Sequence, residues 1–275
     1  MAFTISTDAA SMAARRSLSL ASKQVESSLK ALASGSRVSN ASDDAAGFAI
    51  SERLRGQISG IKQSRFNAQN AKALIQTAEG GLNEQNNILI RMRELAVNAA
   101  SDSVGDEERE FLNMEFVQLR DEFDRIAQST RFGNKKLLVG TEEEFAFHVG
   151  PFNGPENVVK FKLDANTTAM AVGINRLEIT DQDDALDAIE DLDDAVQSVS
   201  KVRAQLGAAQ SRFEHVINNL EVQQENLTAA RSLITDVDVA EEVSKLTQGQ
   251  IQTQAGTMVL SQANANSLKV LQLLA

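Results

Sequence analysis

The chain has 275 residues, a formal net charge of −11 and 42% hydrophobic residues, yet only 4% aromatics, with no Trp and no Tyr. Small apolar side chains suit helix-on-helix packing better than a sheet core, and an acidic balance argues against nucleic acid, whose phosphates need a Lys/Arg face. The lack of cysteine excludes disulfides, thiolate chemistry and Cys-ligated zinc.

The first residues, MAFTISTDAASMAARRSL, contain no uninterrupted apolar run, so no cleaved signal peptide is expected. No stretch approaches the ~20 apolar residues of a membrane span, so no membrane insertion is expected. The protein either stays in the cytoplasm or leaves by a route that reads no such signal. Residues 3 to 34 read as a helix through Leu18, Ala21, Val25, Ser28 and Leu32, a thin seam of small residues, and Ser34-Gly35-Ser36 breaks it. Ser39 to Asp44 is a cluster of helix-capping residues.

From Asp43 to about Ala100 the chain repeats in sevens. Leu54, Ile61, Ala68, Ile75, Leu82, Leu89 and Ala96 are apolar, with Ala71, Ala78, Met92 and Ala99 three residues after the later members. No proline interrupts the run. Gly80-Gly81 lies inside it and costs about 2 kcal/mol of helix propensity, or else marks a kink. The helix predicted here, roughly 80 Å long, needs a second long stripe. Leu192, Val199, Leu206, Phe213, Leu220, Leu227 and Ile234 supply one near the other end, with Ala195, Val202, Ala209, Val216 and Ala230 beside them. The predicted fold is therefore mainly α: a long-helix coiled-coil rod pairing N- and C-terminal segments.

Between the stripes, Ser103 and Asp106 resemble a capping box. They open a third helix to about Gln128, carried by Leu112, Leu119, Ile126, Phe116 and Phe123. Phe132-Gly133-Asn134 turns the chain out of it. Residues 140 to 178 change character. Phe145, Phe147 and Val149 alternate with polar positions, as do Val159, Phe161 and Leu163, around GPFNGP with both prolines, Pro151 and Pro155. This predicts a small central β-hairpin, placed at about 140–178, whose aromatic face packs on the helices.

Thr180-Asp181 caps the next helix, whose acidic start DQDDALDAIEDLDDA suits the helix dipole. A calcium site is the alternative, but the spacing does not match an EF-hand loop. From Leu246 to Leu268 no residue is charged, yet Gln, Asn, Thr, Ser and Ala abound. Such a neutral segment suits close packing between copies, and alone it buries too little to offset its ordering entropy. Both ends, about 1–42 and 236–275, are thus expected to be mobile in the dilute monomer and to become helical on assembly.

Five strings are similar to bacterial flagellin: SGSRVSNASDDAAGFAISERLRGQI and TAEGGLNEQNNILIRMRELAVNAAS, then DRIAQSTRFGNKKLL, then LGAAQSRFEHVINNLEVQQENLTAARSLITDVDVAEEVSKL and QAGTMVLSQANANSLKVLQLL. They are collinear and span nearly everything except about 140–185. The resemblance implies a homopolymeric filament subunit for motility. An inner terminal domain of paired helices (1–42 and 236–275) forms the filament core, and an outer rod domain (43–178 and 179–235) holds three long helices and the hairpin. Filament-core packing then falls to Leu18, Val25, Leu32, Val259, Leu268 and Leu271, and the rod core to Leu54, Ile61, Ile75, Leu82, Leu89, Leu206, Phe213, Leu220 and Leu227. It also implies type III export of an unfolded chain, a dedicated export chaperone at the C-terminal segment, and a filament cap with hook-associated proteins. Large variable surface domains are missing.

In some members a patch is read by a host flagellin-sensing Toll-like receptor. It falls here on Arg91, Leu95 and Glu115, within a string, IRMRELAV, that departs from the family pattern at Ile90 and Met92. The alternative is that Leu95 packs inside while Arg91 and Glu115 pair with neighbouring charges. No catalytic, cofactor or metal site is expected. The only histidines, His148 and His215, share no neighbourhood, and Gly80-Gly81 lacks the Lys and Ser/Thr of a phosphate loop. Two other functions remain open at this point, a hook-filament junction protein and a signalling coiled coil of chemoreceptor type.

Overall fold

Asp44 begins the first long helix, its side chain accepting hydrogen bonds from the Ala46 and Gly47 amides at 3.1 and 3.0 Å. Asp43 turns the other way and accepts from the Ser39 and Asn40 amides, which tightens the loop before it. In this computed structural model, which describes residues 9–140, 144–163 and 165–274, the order is α1 (Ala9–Ser34), α2 (Ala45–Ala99), α3 (Asp106–Ser129), β1 (Arg131–Phe132), β2 (Lys135–Lys136), β3 (Glu144–His148), β4 (Val158–Lys162), α4 (Gln182–Thr235) and α5 (Val239–Leu274). The side chains of Ala10 and of residues 266–275 are outside that description, and so are the N-terminal residues 1–8 on which part of the first predicted helix falls. The mainly helical fold with a small central hairpin, β3–β4, is as the periodicity predicts, and β1 and β2 add a second, shorter antiparallel pair. The chain divides into two units, Met1–Gln57 with Asn226–Ala275, and Ile58–Glu225.

In the second unit α2 and α4 run antiparallel. Arg65 meets Glu221 at 3.5 Å, Lys72 meets Glu214 at 2.7 Å and Arg93 meets Asp193 at 2.6 Å. Each step forward along α2, by seven and then by twenty-one residues, is matched by an equal step back along α4. Whole heptads therefore stay in register. Ile61, Ala68, Ile75, Leu82, Leu89 and Ala96 are buried, as are Leu192, Val199, Leu206, Phe213 and Leu220. Leu54 and Leu227, predicted for the same core, lie in the other unit and are only half-buried. Helix α3 packs Phe116 and Phe123 into the same core cluster.

The hairpin is antiparallel, pairing Phe145 with Phe161 and Phe147 with Val159. Phe147 meets Phe213 of α4 edge-on, ring centres 5.6 Å apart. The pairing is shorter than 140–178: it stops at Lys162, and the following residues make turns and backbone bonds, among them Thr167 N–H to Leu138 O and Gly140 N–H to Ala165 O. Among the described residues of that range only Glu144–His148 and Val158–Lys162 pair as strands; the apolar residues beyond them, Ile174 and Ile179 among them, are buried from turns instead.

The capping box also needs correction. Helix α3 is capped at Gly105, whose amide donates to the Glu108 carboxylate at 2.8 Å; Asp106 is already helical and pairs with Arg109. Arg109, nearly buried, donates to Ala99 O and Ser101 O and so closes the C-terminus of α2 with a cation. Gly80-Gly81 makes no break in α2.

In the first unit α1 pairs with α5. A Cβ on Gly249 would meet Val25 Cγ2 at 2.8 Å, and one on Gly256 would meet Leu18 Cδ1 at 3.3 Å. The glycines of α5 thus let α1 approach closely. The two pauses between helices, α1 to α2 and α4 to α5, are stitched together: Arg37 N–H donates to Thr235 O at 2.7 Å and Val237 N–H to Gly35 O at 3.1 Å.

Candidate interaction surfaces

The α1–α5 pair buries little. Its covered residues are small or polar (Ser11, Ala14, Ala21, Ser28), whereas Met12, Leu20, Leu29, Val239, Val243, Ile251, Met258 and Val259 are exposed, Met258 at 72%. Of the residues predicted to pack a filament core, Leu18, Val25 and Leu32 are half-buried, the first two beside the α5 glycines, and Val259 is exposed. Leu268 and Leu271 lie outside the described side chains. Isolated exposed apolar residues are ordinary, but a helix pair with more large apolar side chains outside than inside is an unfinished core. From Val239 to Leu268 the charges of α5 are confined to the first turns, where Lys245 is held by Glu241 and Glu242 at 2.8 and 3.3 Å, which raises its pKa.

The second surface is the Arg91 region of α2 and α3. Arg91 bonds to Glu115 at 2.9 Å and to Glu94 at 3.0 Å, and these partners, Glu115 first, raise its pKa. Leu95 is buried, 3% exposed, and offers no contact outward. The apolar side chains accessible nearby on these two helices are Ile90, Val97, Phe111 and Met114.

A third feature was not legible in the sequence as read. Gln85 interrupts an apolar row between Ala78 and Met92 and is fully buried. Its amide nitrogen donates to Phe123 O at 3.1 Å and Thr167 O at 3.0 Å. The gap in an otherwise apolar row was the available signal. Gln85 ties α2 to α3 and to the segment after the hairpin.

Among the described residues no group of three or more acidic, His or Cys side chains is placed to hold a metal, and no helix is long and apolar enough to cross a membrane. His148 and His215 are exposed, on β3 and α4.

Comparisons with known proteins bear on what such surfaces are for. Residues 5–143 match the family model described as bacterial flagellin N-terminal helical region, and residues 189–274 the bacterial flagellin C-terminal helical region. The chain is 42% identical over 266 residues to a flagellin of Halalkalibacterium halodurans, covering 96% of each chain. It is 38% identical to a flagellin of Bacillus subtilis, covering 90% of this chain and 92% of that one. Among solved structures, the crystal structure of Bacillus cereus flagellin superposes with a TM-score of 0.51 at 29% identity, covering 60% of this chain and 94% of that one.

Proposed function

This chain belongs to the bacterial flagellin family, and from that premise we infer how its parts divide the work of building a flagellar filament. It is a structural subunit that assembles with further copies into that extracellular motility appendage. We assign residues 1–42 and 236–275 to an inner domain that packs copy against copy. We assign residues 43–178 and 179–235 to an outer rod built on α2, α3 and α4, whose compact part is the Ile58–Glu225 unit. The breaks at 35–44 and 236–238 support that division, since both helical runs pause there.

The observation that carries this reading is the exposure of the large apolar side chains of α1 and α5. At ~25 cal/mol per Å² of apolar area, covering several such side chains supplies the assembly free energy that the thin α1–α5 seam does not supply alone. Before assembly the ends gain little by ordering, so they are mobile in the dilute monomer and firm up among copies. The same exposed side chains on α5 suit a dedicated export chaperone during type III export, and filament growth suits a cap and hook-associated proteins at the ends. A host receptor of the Toll-like class would meet Arg91 and Glu115 but not the buried Leu95. Neither a signalling coiled coil nor a junction protein accounts for an unfinished core at both chain ends as directly.

The test is polymerisation of Val259→Asp and of Leu268→Asp. Both are expected to stay monomeric at concentrations where the unsubstituted chain forms filaments in electron micrographs, with the Ile58–Glu225 unit still helical by circular dichroism. Filaments of normal length from both variants would contradict the inner-domain assignment.

A further inference from the structure

Between β4 and α4, within the Ile58–Glu225 unit, lies an open groove of about 250 Å³ lined by Val159, Phe161, Ala208, Ala209 and Phe213, with Lys160, Gln205 and Arg212 at its edge. Its floor is apolar and its rim cationic. Lys160 is engaged by Glu144 at 3.1 Å. Arg212 has no ion-pair partner among the described residues. In a chain of net charge −11, an unengaged guanidinium beside an apolar hollow is a docking feature that copies of the same chain can use against their own repulsion.

The same unit carries a matching projection. At the start of α4, Leu186 stands 52% exposed. Asp183 and Glu190 share its helical face and Asp187 stands about 100° round the helix on the same side, all exposed and none with a cationic partner among the described residues. An exposed leucine flanked on one side by carboxylates is the complement of an apolar hollow edged by a guanidinium. Leu186 and Ala208 are twenty-two residues apart on one unbroken helix, about 33 Å at the helical rise. One copy therefore cannot seat its own leucine in its own groove.

We propose that the β4–α4 groove receives the Leu186 projection of a second copy of this chain, with Arg212 facing Asp187 and its acidic neighbours. The inference rests on the filament reading and deepens it by naming one contact. Donor and acceptor are different patches, so the contact is head-to-tail and each bound copy presents a fresh groove and a fresh projection. Such a contact propagates instead of closing into a pair. The charged rim makes it weaken with salt, while the leucine in its hollow resists salt.

The absence of cysteine makes the test clean. Leu186→Cys and Ala208→Cys are combined in one chain, filaments are assembled, and copper-phenanthroline oxidation is followed by non-reducing electrophoresis. The expected result is a ladder of dimers, trimers and higher species that collapses on reduction and is absent from either single variant. Filaments that yield no ladder, or only dimers, overturn the contact while leaving the filament reading intact. Failure of the unsubstituted chain to polymerise overturns both. A second measurement covers the case in which the double variant does not assemble. Arg212→Glu is expected to raise the critical concentration at least about tenfold, because reversal sets like charges against each other, and Asp187→Arg in the same chain is expected to restore most of it. An unchanged critical concentration, or no rescue, overturns the proposal.

Discussion

Gly80 and Gly81 stand side by side in α2 for different reasons. A Cβ on Gly80 meets nothing within 4 Å, whereas one on Gly81 would lie 2.6 Å from Thr130 Oγ1 and 3.0 Å from Leu138 Cδ1. Gly80→Ala is therefore expected to stabilise the monomer by about 0.5–1 kcal/mol. Gly81→Ala is expected to destabilise it by about 1–3 kcal/mol through overpacking; urea unfolding of the two variants checks the opposite signs. Gln85→Leu removes both donors from buried carbonyls of Phe123 and Thr167. The Phe123 carbonyl keeps its place in the α3 ladder, but the Thr167 carbonyl loses this donor. Leaving a buried acceptor unpaired costs about 1–3 kcal/mol, so the unfolding midpoint is expected to fall with the slope unchanged. An unaltered midpoint would mean that the amide contributes no net stability.

At the scale of elements, the sequence was most informative where one physical period runs long. The sevenfold rows of α2 and α4 were legible because two long helices can bury them only against each other, and Ile75, Leu89, Leu206 and Phe213 stand where the rows put them. The hairpin was legible from Phe145, Phe147, Val159 and Phe161 because alternation survives five residues. Strands β1 and β2, two residues each, carry no alternation to detect. The stitch of Arg37 to Thr235 is backbone pairing between residues far apart, which no local pattern reports. The groove beside Arg212 was invisible for the same reason, since β4 and α4 meet only in the fold. Phe213 joins the hairpin to the helix pair, so Phe213→Ala is expected to cost about 3–5 kcal/mol. Thermal unfolding measures this, and a shift below 1 kcal/mol would show that the hairpin does not depend on that ring.

For the whole molecule, acid is the condition to which the charge pattern responds. Hydrogen bonding to Arg93 lowers the Asp193 pKa, hydrogen bonding to Lys72 and Gln210 lowers that of Glu214, and Ser232 and Thr235 lower that of Asp236. A carboxylate whose folded pKa is depressed contributes stability that is full above its unfolded value, near 4, and lost as pH falls through the lower folded value. Monomer stability is therefore expected to be level from pH 7 to about 5 and to fall below pH 4, with each exposed pair contributing little alone. Equal melting temperatures at pH 6 and pH 2.5 would contradict this.

The central claim is that α1 and α5 are completed by other copies, while the α2–α3–α4 core is complete within one. Hydrogen–deuterium exchange on the same protein, dilute and then polymerised, tests it most directly. Amides of α1 and α5 are expected to exchange rapidly in the monomer and to be strongly protected in the filament, whereas the 61–99 and 185–220 amides are expected to be protected in both. Equal and strong protection of α1 and α5 in the dilute monomer would contradict it.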